Sequence, residues 1–252
     1  MRFASLGSGS RGNALIVEHG RTIVLIDCGF SVQEVERRMA RLGRSVDTLD
    51  AIVVTHEHGD HANGVARLAR RYGLPVWMTS GTHHACGDRR FHRLELFCAE
   101  RPFAIGDLEL TPYTVPHDAR EPCQFVVSDG AVRLGLLTDI GIPTTHVQEQ
   151  LHGCDALLIE CNHDPHLLAT GPYPPSLKQR VSGPYGHLSN QEAAALLDAL
   201  DRSRLRHVVA MHLSENNNRP ELAKKALADV LGTSPSEVCC ATQEGGFDWR
   251  SI

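Results

Sequence analysis

Residues 55–61 read Thr-His-Glu-His-Gly-Asp-His (THEHGDH) and directly follow a short apolar run. His56 and His58 are two residues apart, so in an extended segment both imidazoles point to one side and can reach one cation. A glycine then permits a sharp turn, after which Asp60 and His61 can face a second cation. The spacing differs from the helical H-E-x-x-H motif of metalloproteases, whose two histidines are four residues apart. The stretch predicts a metal site at the end of a buried strand.

Residues of the same chemical type recur where other predicted strands end. His117 lies in VPHD, Asp139 ends LGLLTD, and His212 ends VVAMH. Because the carboxyl ends of neighbouring strands can meet at one edge of a sheet, these side chains can converge on one site. Taken singly, each would more often be a hydrogen-bonded loop residue. Their recurrence together with THEHGDH favours a single converging metal site.

The composition is that of a globular protein. The 252 residues are 42% hydrophobic and 22% charged, which excludes a disordered or collagen-like chain. No apolar run approaches the roughly 18 residues that span a bilayer, and the N-terminus lacks the features of a secretory signal. We therefore expect a cytoplasmic protein without membrane contact, whose eight cysteines are free thiols. The net charge of −5 argues against attachment to nucleic acid by bulk charge, without excluding a nuclease.

Strand-like and helix-like segments alternate along the chain. Helices are predicted at residues 31–42, 64–72, 144–151, 190–200 and 220–231. A run of strands is predicted between Arg93 and Thr138, in which the Asp129-Gly130 pair is typical of a hairpin. This order predicts an α/β protein in which two sheets pack together with helices outside them, an αββα four-layer sandwich.

No linker divides the sequence, so a single domain over residues 1–252 is expected. The Gly- and Pro-rich stretch Thr170–Gly186 is too short and too central for a domain boundary. It predicts a long functional loop.

These motifs resemble the metallo-β-lactamase fold superfamily, and the match covers nearly the whole chain. The matching positions are Asp27, His56, His58, Asp60, His61, His117, Asp139 and His212. The segments SLGSGSRGNA, VPHD, ECNHD, YPPSLKQR, GHLSN and MHLSENNN resemble more narrowly the WalJ (YycJ)-like hydrolases. That family is described as metal-dependent nucleases, including 5′-to-3′ exonucleases on double-stranded DNA. The resemblance implies the αββα sandwich and DNA, or another phosphodiester, as substrate.

The resemblance also implies how the ligands are divided between two divalent metal ions. The first ion would be held by His56, His58 and His117, and the second by Asp60, His61 and His212. Asp139 would bridge both ions, and Asp27 would lie behind the ligands and orient their loop. Imidazole and carboxylate ligands suit Zn²⁺ or Mn²⁺ equally. Two such ions about 3.5–4 Å apart can share a bridging water, whose hydroxide would attack phosphorus or a carbonyl in line.

Proton transfer and substrate binding call for further residues. Asp60 and His187 are the predicted catalytic residues, with His187 of GHLSN as proton donor to the leaving alkoxide or as phosphate clamp. A histidine that merely begins a helix capped by Ser189 is the structural alternative. His163 is predicted to approach the metals from behind their ligands. The predicted substrate-binding residues are Ser10, Asn13, Lys178 and Arg180.

The leading hypothesis is a dinuclear phosphodiester hydrolase, and most specifically a DNA exonuclease. Its main alternative is a small-molecule hydrolase of the same fold, acting on a thioester, lactone or cyclic phosphodiester. A shallow cleft rimmed by basic residues would favour DNA, and a deep closed pocket would favour a metabolite.

Three other classes are disfavoured. Residues 7–12 fit G-x-G-x-x-G, but a β-rich run follows where dinucleotide binding needs a helix. A redox di-iron enzyme is disfavoured because His58 stands where that branch carries glutamate. A non-catalytic binding protein is disfavoured because the ligand set is complete. The sequence does not predict the oligomeric state.

Overall fold

The computed structural model describes residues 1–252, whose strands form two mixed sheets. In chain order the strands are β1 (Arg2–Gly7), β2 (Ala14–His19), β3 (Thr22–Ile26), β4 (Ala51–Val53), β5 (Pro75–Met78), β6 (Arg93–Leu96), β7 (Phe103–Ile105), β8 (Leu108–Thr114), β9 (Cys123–Ser128), β10 (Arg133–Leu137), β11 (Ala156–Glu160), β12 (His207–Met211), β13 (Cys239–Cys240) and β14 (Phe247–Ser251). The first sheet has the order β14-β1-β2-β3-β4-β5-β6, and the second has the order β13-β12-β11-β10-β9-β8-β7.

Each sheet joins an antiparallel part to a parallel part. In the first sheet β14, β1, β2 and β3 pair antiparallel, and β3 to β6 pair parallel. In the second sheet β7 to β10 pair antiparallel, and β10 to β13 pair parallel. Parallel strands end at the same edge of their sheet, so each sheet offers one edge where several strand ends meet.

The parallel strands are connected through helices, which cover the outer faces of both sheets. In chain order the helices are α1 (Val32–Arg41), α2 (Gly59–Ala62), α3 (Val65–Tyr72), α4 (Ser80–Ala85), α5 (Thr145–Leu151), α6 (Pro165–Thr170), α7 (Pro175–Val181), α8 (Asn190–Ala199) and α9 (Pro220–Leu231). A short 3₁₀ turn spans Val46–Thr48. The longest helix has 12 residues, and none has the length and apolar composition needed to cross a membrane.

Three apolar cores separate four layers. Side chains such as Phe3 and Phe125 fill the space between the two sheets. Met39 of α1 and Leu68 of α3 pack on the outer face of the first sheet, while Leu227 of α9 belongs to the core outside the second sheet. The alternation of inward and outward side chains along each strand supplies both faces. The predicted αββα four-layer sandwich is confirmed.

Some elements differ from the prediction. The stretch Thr170–Gly186, predicted as one long loop, contains α7 and the last residue of α6, so that prediction was wrong in part. The prolines of this stretch were taken to indicate a loop. Proline is also well suited to the first turn of a helix, and Pro175 occupies that position in α7. The short strands β7 and β14 and the short helix α4 were not predicted, since their patterns are too brief to show a period.

Arg38 is a buried cation that fastens α1 to the first sheet. Its side chain is 5% exposed. It donates hydrogen bonds to the carbonyl oxygens of Leu6, at 2.7 Å, and Gln243, at 2.9 Å. A third bond reaches the Glu34 carboxylate at 2.6 Å, and the guanidinium lies 4.1 Å from the centre of the Phe30 ring. A buried charge needs such partners. Glu34 therefore supplies the negative charge that balances Arg38 between α1 and the first sheet.

We expect Glu34→Gln to destabilise the protein at neutral pH and much less in acid. Hydrogen bonds from Arg37 and Arg38 lower the pKa of Glu34 from 4.5 to about 2. Burial of the carboxyl group acts in the opposite direction but is outweighed. A depressed carboxyl pKa contributes stability above the unfolded-state value, and that stability is lost as the pH falls towards 2. Urea unfolding should therefore show a deficit of about 1–2 kcal/mol near neutrality that shrinks in acid.

The matched control for this experiment is Glu109→Gln, at an exposed position of β8. Its deficit should be small, because this side chain is exposed. A Glu34→Gln deficit that stays the same from neutrality to acid would contradict the proposed counter-charge.

Candidate metal centre

The predicted ligands all lie on segments that follow strands, at the edge where the two sheets meet. The loop carrying His56 to His61 follows β4 of the first sheet, while His117, Asp139 and His212 follow β8, β10 and β12 of the second. The structure brings all seven predicted ligands into one group of overlapping donor clusters. The first sheet therefore contributes four of the seven ligands, and the second sheet contributes three.

Three residues at strand ends have left-handed backbone conformations. The φ angles are 61° for Asp27, 55° for Asp139 and 54° for His212. Only one other non-glycine residue of the chain, Glu100, has a positive φ. A left-handed conformation costs an L-residue roughly 1–2 kcal/mol, and such strain persists where surrounding contacts fix it. The strain is concentrated at the positions that turn their side chains towards the shared edge.

The first donor cluster consists of three imidazoles. His56, His58 and His117 each offer one nitrogen, and these nitrogens lie within 4.8 Å of one another. The other ring nitrogen is occupied in two of them: His117 Nδ1 lies 3.1 Å from the Gly186 oxygen, and His56 Nδ1 lies 3.0 Å from Thr55 Oγ1. His56 Nε2 is buried without a hydrogen-bond partner. A bound cation would give this buried nitrogen the partner that it lacks, and it would contact the neighbouring ring nitrogens of His58 and His117 as well.

The second donor cluster consists of Asp60, His61 and His212. Asp60 Oδ2 lies 3.3 Å from His212 Nε2 and 3.5 Å from His61 Nε2. Asp139 lies between the two clusters, with Oδ2 3.0 Å from His61 Nε2 and Oδ1 3.9 Å from His117 Nε2. Its carboxylate is therefore placed to be shared by both clusters.

The two clusters differ in electrostatic character. Burial lowers the pKa of His56 well below its usual value, and burial likewise lowers the pKa of His117. Burial opposes protonation of His61 and His212 as well, but the Asp139 carboxylate and other nearby acids raise both pKa values, that of His212 to about 10. His56 and His117 of the first cluster thus present neutral nitrogen donors, whereas the carboxylates beside His61 and His212 call for positive charge.

Asp27 orients the second cluster from behind. Its Oδ2 lies 2.8 Å from His61 Nδ1, which directs the opposite ring nitrogen towards Asp60 and Asp139. Its two oxygens also accept hydrogen bonds from the backbone N–H and the hydroxyl of Thr55, both at 2.8 Å. Partners of this kind fix the tautomer and the ring orientation of a ligating histidine. The geometry is that expected of the predicted orienting residue.

Of the predicted substrate-binding residues, Ser10 and Arg180 line the cleft above the clusters. The cleft has a volume of about 390 Å³, and His187 also lines it. Arg180 Nε donates to Asp118 Oδ2 at 2.6 Å, and Asp118 lines the cleft beside it. The Arg180 side chain is 61% exposed, so it remains open to an anion that enters the cleft.

The other predicted residues do not line this cleft. Asn13 is buried, and its amide nitrogen lies 3.3 Å from Asp60 Oδ2 and 3.1 Å from His61 Nε2. Lys178 Nζ donates to a backbone oxygen of α6 at 2.6 Å. His163 is buried, its segment bridges to the start of α8, and it belongs to no donor cluster. Substrate binding by Asn13 and Lys178 therefore stays a prediction without geometric support, as does contact between His163 and a metal.

Sequence reasoning missed Glu160, which ends β11 and is fully buried. Its Oε1 lies 2.9 Å from His187 Nδ1 and 3.0 Å from His212 Nδ1. Its Oε2 accepts the backbone N–H groups of Ile140 and Leu188, both at 3.1 Å. Burial alone would raise the pKa of Glu160, but the two histidines outweigh it and lower that pKa to about 2. The rule that a polar residue ending a buried strand points to the site would have found it.

Comparisons with known proteins agree with this geometry. Residues 22–213 match the family described as the beta-lactamase superfamily domain, so the chain belongs to that family and is a hydrolase of the metallo-β-lactamase fold. More narrowly, it belongs to the YycJ/WalJ family. It is 33% identical to the exodeoxyribonuclease YycJ of Bacillus anthracis, over 92% of this chain and 89% of that protein. It is 32% identical to the exodeoxyribonuclease WalJ of Streptococcus pneumoniae, over 91% and 88%.

A solved structure supports the fold independently of sequence similarity. The metallo-β-lactamase fold protein YhfI of Bacillus subtilis superposes with a TM-score of 0.76, covering 99% of both chains at 16% identity. At that identity the likeness concerns the fold alone.

We expect Glu160→Gln to weaken metal binding and activity by about 10- to 100-fold. The amide keeps the size of the side chain, but it lacks the charge that holds the Nδ1 protons of His187 and His212. Metal affinity is measured by titrating the metal-free protein with Zn²⁺ or Mn²⁺.

The matched control is Asp155→Asn, a buried carboxylate just before the other end of β11 that pairs with Arg204. It should lower stability and leave metal affinity unchanged. Equal metal affinities for Glu160→Gln and the wild type would show that Glu160 has no orienting role.

Proposed function

We propose that this chain is a dinuclear metal-dependent phosphodiester hydrolase that acts as a DNA exonuclease, degrading double-stranded DNA in the 5′-to-3′ direction. The observation that carries the proposal is the convergence of seven imidazole and carboxylate donors, from both sheets, in two clusters joined by Asp139. The exodeoxyribonuclease names of the YycJ and WalJ relatives support the choice of DNA.

The donor chemistry fits two divalent cations. His56, His58 and His117 would hold one, Asp60, His61 and His212 the other, and Asp139 both. The orphaned nitrogen of His56 gives one cation an unpaired donor. No cysteine belongs to any donor cluster, which suits Zn²⁺ or Mn²⁺. When bound, such cations would supply Lewis acidity that lowers the pKa of a coordinated water and neutralises charge developing on the phosphate.

His187 is the proposed proton donor to the leaving group. Its Nδ1 is occupied by Glu160, so its Nε2 is left to face the cleft that the ring lines. The ring centre lies 5.3 Å from the ring centres of both His117 and His212, next to both clusters. A positioned donor of this kind delivers a proton to the oxygen that departs from phosphorus. Asp60, a member of the second donor cluster, is the proposed catalytic carboxylate.

The lining of the cleft favours a phosphate ester over an apolar metabolite. Only three of the thirteen residues that line it are hydrophobic, and Arg180 stands at its rim. Pockets for small organic ligands are lined mainly by apolar side chains, whereas an arginine fork matches the oxygens of a phosphate. We therefore retain the phosphodiester over the thioester and lactone alternatives. All eight cysteines are free, which is consistent with the proposed cytoplasmic location.

The metal requirement is tested with 5′-phosphorylated duplex DNA. We expect the wild type to degrade it with Mn²⁺ or Zn²⁺, and chelation to abolish the activity reversibly. Asp139→Asn should lower the rate about 100-fold or more, because the carboxylate shared by the clusters is lost. Asp198→Asn, an exposed position of α8, should have no effect. If the wild type leaves DNA intact but turns over a small ester or a cyclic phosphate, the nuclease proposal is wrong and the hydrolase assignment stands.

The role of His187 is tested by changing the leaving group. We expect His187→Gln to lower kcat on DNA by about 10²- to 10⁴-fold, with metal content unchanged. Hydrolysis of bis(p-nitrophenyl) phosphate should fall much less, because its leaving group departs without a proton. His19→Gln is the control, because His19 pairs with Asp129 at the end of β2 that lies away from the metal centre. An equal loss on both substrates would assign His187 to substrate binding instead.

A further inference from the structure

An arginine-rich surface, here called the arginine face, is formed by α3 and the segment before β6. Its members are Arg67, Arg70, Arg71, Arg89, Arg90 and Arg93, all of them exposed. Residues 64–94 contain these six arginines, no lysine, and Asp88 as the only acidic residue, which gives a net charge of +5. The whole chain has a net charge of −5, so the remaining residues carry −10. Positive charge is thus concentrated in one short part of an acidic protein.

Contacts between side chains join the two parts of the arginine face. Arg70 of α3 donates to the backbone oxygen of Arg90 at 2.7 Å. Arg70 and Arg90 share the single carboxylate of Asp88, each at 3.0 Å. Arg71 and Arg93 pair with Glu36 and Glu95, two acids that lie outside residues 64–94. Arg67 forms no ion pair, and Arg90 is 81% exposed. The positive charges are therefore neutralised only in part and remain available to an external anion.

The arginine face begins beside the metal centre. Arg67 and Glu57 line the same small cavity, and Glu57 lies between two of the proposed ligands in the THEHGDH loop. Glu57 Oε1 in turn accepts the backbone N–H of Arg120 at 2.7 Å. Arg120 is two residues from Asp118, which lines the cleft. Contacts through Glu57 and Arg120 thus link the rim of the cleft to α3.

We propose that the arginine face binds the phosphate backbone of double-stranded DNA whose end lies in the cleft. This inference rests on the proposed function and assigns the duplex to a particular side of the molecule. A DNA duplex carries one negative charge per about 1.7 Å of its axis, so a row of arginines gains from each phosphate it neutralises. Such contacts position the duplex without reading its sequence, as degradation of any DNA requires.

The chemistry of the arginine face favours a duplex over a single strand. Binding of single strands combines basic residues with exposed aromatic rings on which bases stack. The aromatic residues of this region are unsuited to stacking, because the Tyr72 hydroxyl donates to Glu36 at 2.5 Å and both Tyr72 and Phe91 pack against the core. Phosphates are therefore the groups this surface can recognise. The local positive charge also explains how an acidic protein can attract DNA.

The test compares two triple variants with the same change in net charge. In the first, R67Q/R71Q/R90Q, the arginine face loses three cations. In the second, R21Q/R101Q/R206Q, three exposed arginines elsewhere are replaced. Binding to a labelled duplex of about 30 base pairs is followed by fluorescence anisotropy at increasing KCl, with EDTA present to prevent cleavage.

We expect the slope of log Kd against log salt to fall by about 3 in the first variant, since each lost phosphate contact removes about 0.9. In the control variant it should fall by less than about 1. Both variants should hydrolyse bis(p-nitrophenyl) phosphate as the wild type does, which shows that the metal centre is intact.

The inference is overturned if the two variants bind the duplex with the same affinity and salt dependence. It is also overturned if only binding of single-stranded DNA is weakened, or if poly-glutamate competes as well as duplex DNA does. If the inference holds but the proposed function is wrong, the result differs. The wild type would then bind the duplex through the arginine face but leave it uncleaved in the presence of metal.

Discussion

Three carboxylates buried where the two sheets meet set the main constraint on this structure. Asp27, Asp139 and Glu160 are each 4% exposed or less. Removing a carboxylate from water is costly unless charge and hydrogen bonds compensate for it. His61, His187 and His212 provide that compensation. The positions of these imidazoles, and hence the direction of their free nitrogens, follow from the need to satisfy buried negative charge.

The architecture of the sheets makes this arrangement possible. Strands that run parallel finish at a common edge, and the two sheets present their edges to each other with donors on both sides. The left-handed turns at Asp27, Asp139 and His212 bring the side chains back towards that edge. Their local cost of about 1–2 kcal/mol each is small beside the three apolar cores that hold the strands in place.

The features of the fold and of the metal centre that could be predicted from the sequence were those that leave a local pattern of residues. The four-layer fold and the convergence of the seven donors followed from strand patterns and from the spacing in residues 55–61. Glu160 ends an apolar strand much as Asp139 does, but the strand-end rule was not applied to it, and no local pattern shows that its carboxylate faces His187 and His212. Asn13 illustrates another limit, since its amide faces Asp60 and His61 only after distant segments have met. In the Pro-rich stretch containing α7, composition concealed a helix.

The pairing of β14 with β1 has a consequence for synthesis of the protein. Strand β14 completes the edge of the first sheet beside β1, which is made well before it. Until residues 247–251 leave the ribosome, the outer edge of β1 has no partner in its own chain. Unpaired strand edges recruit other chains and promote aggregation. A nascent or prematurely terminated chain is therefore exposed to this hazard even when every residue of the metal centre has already been made.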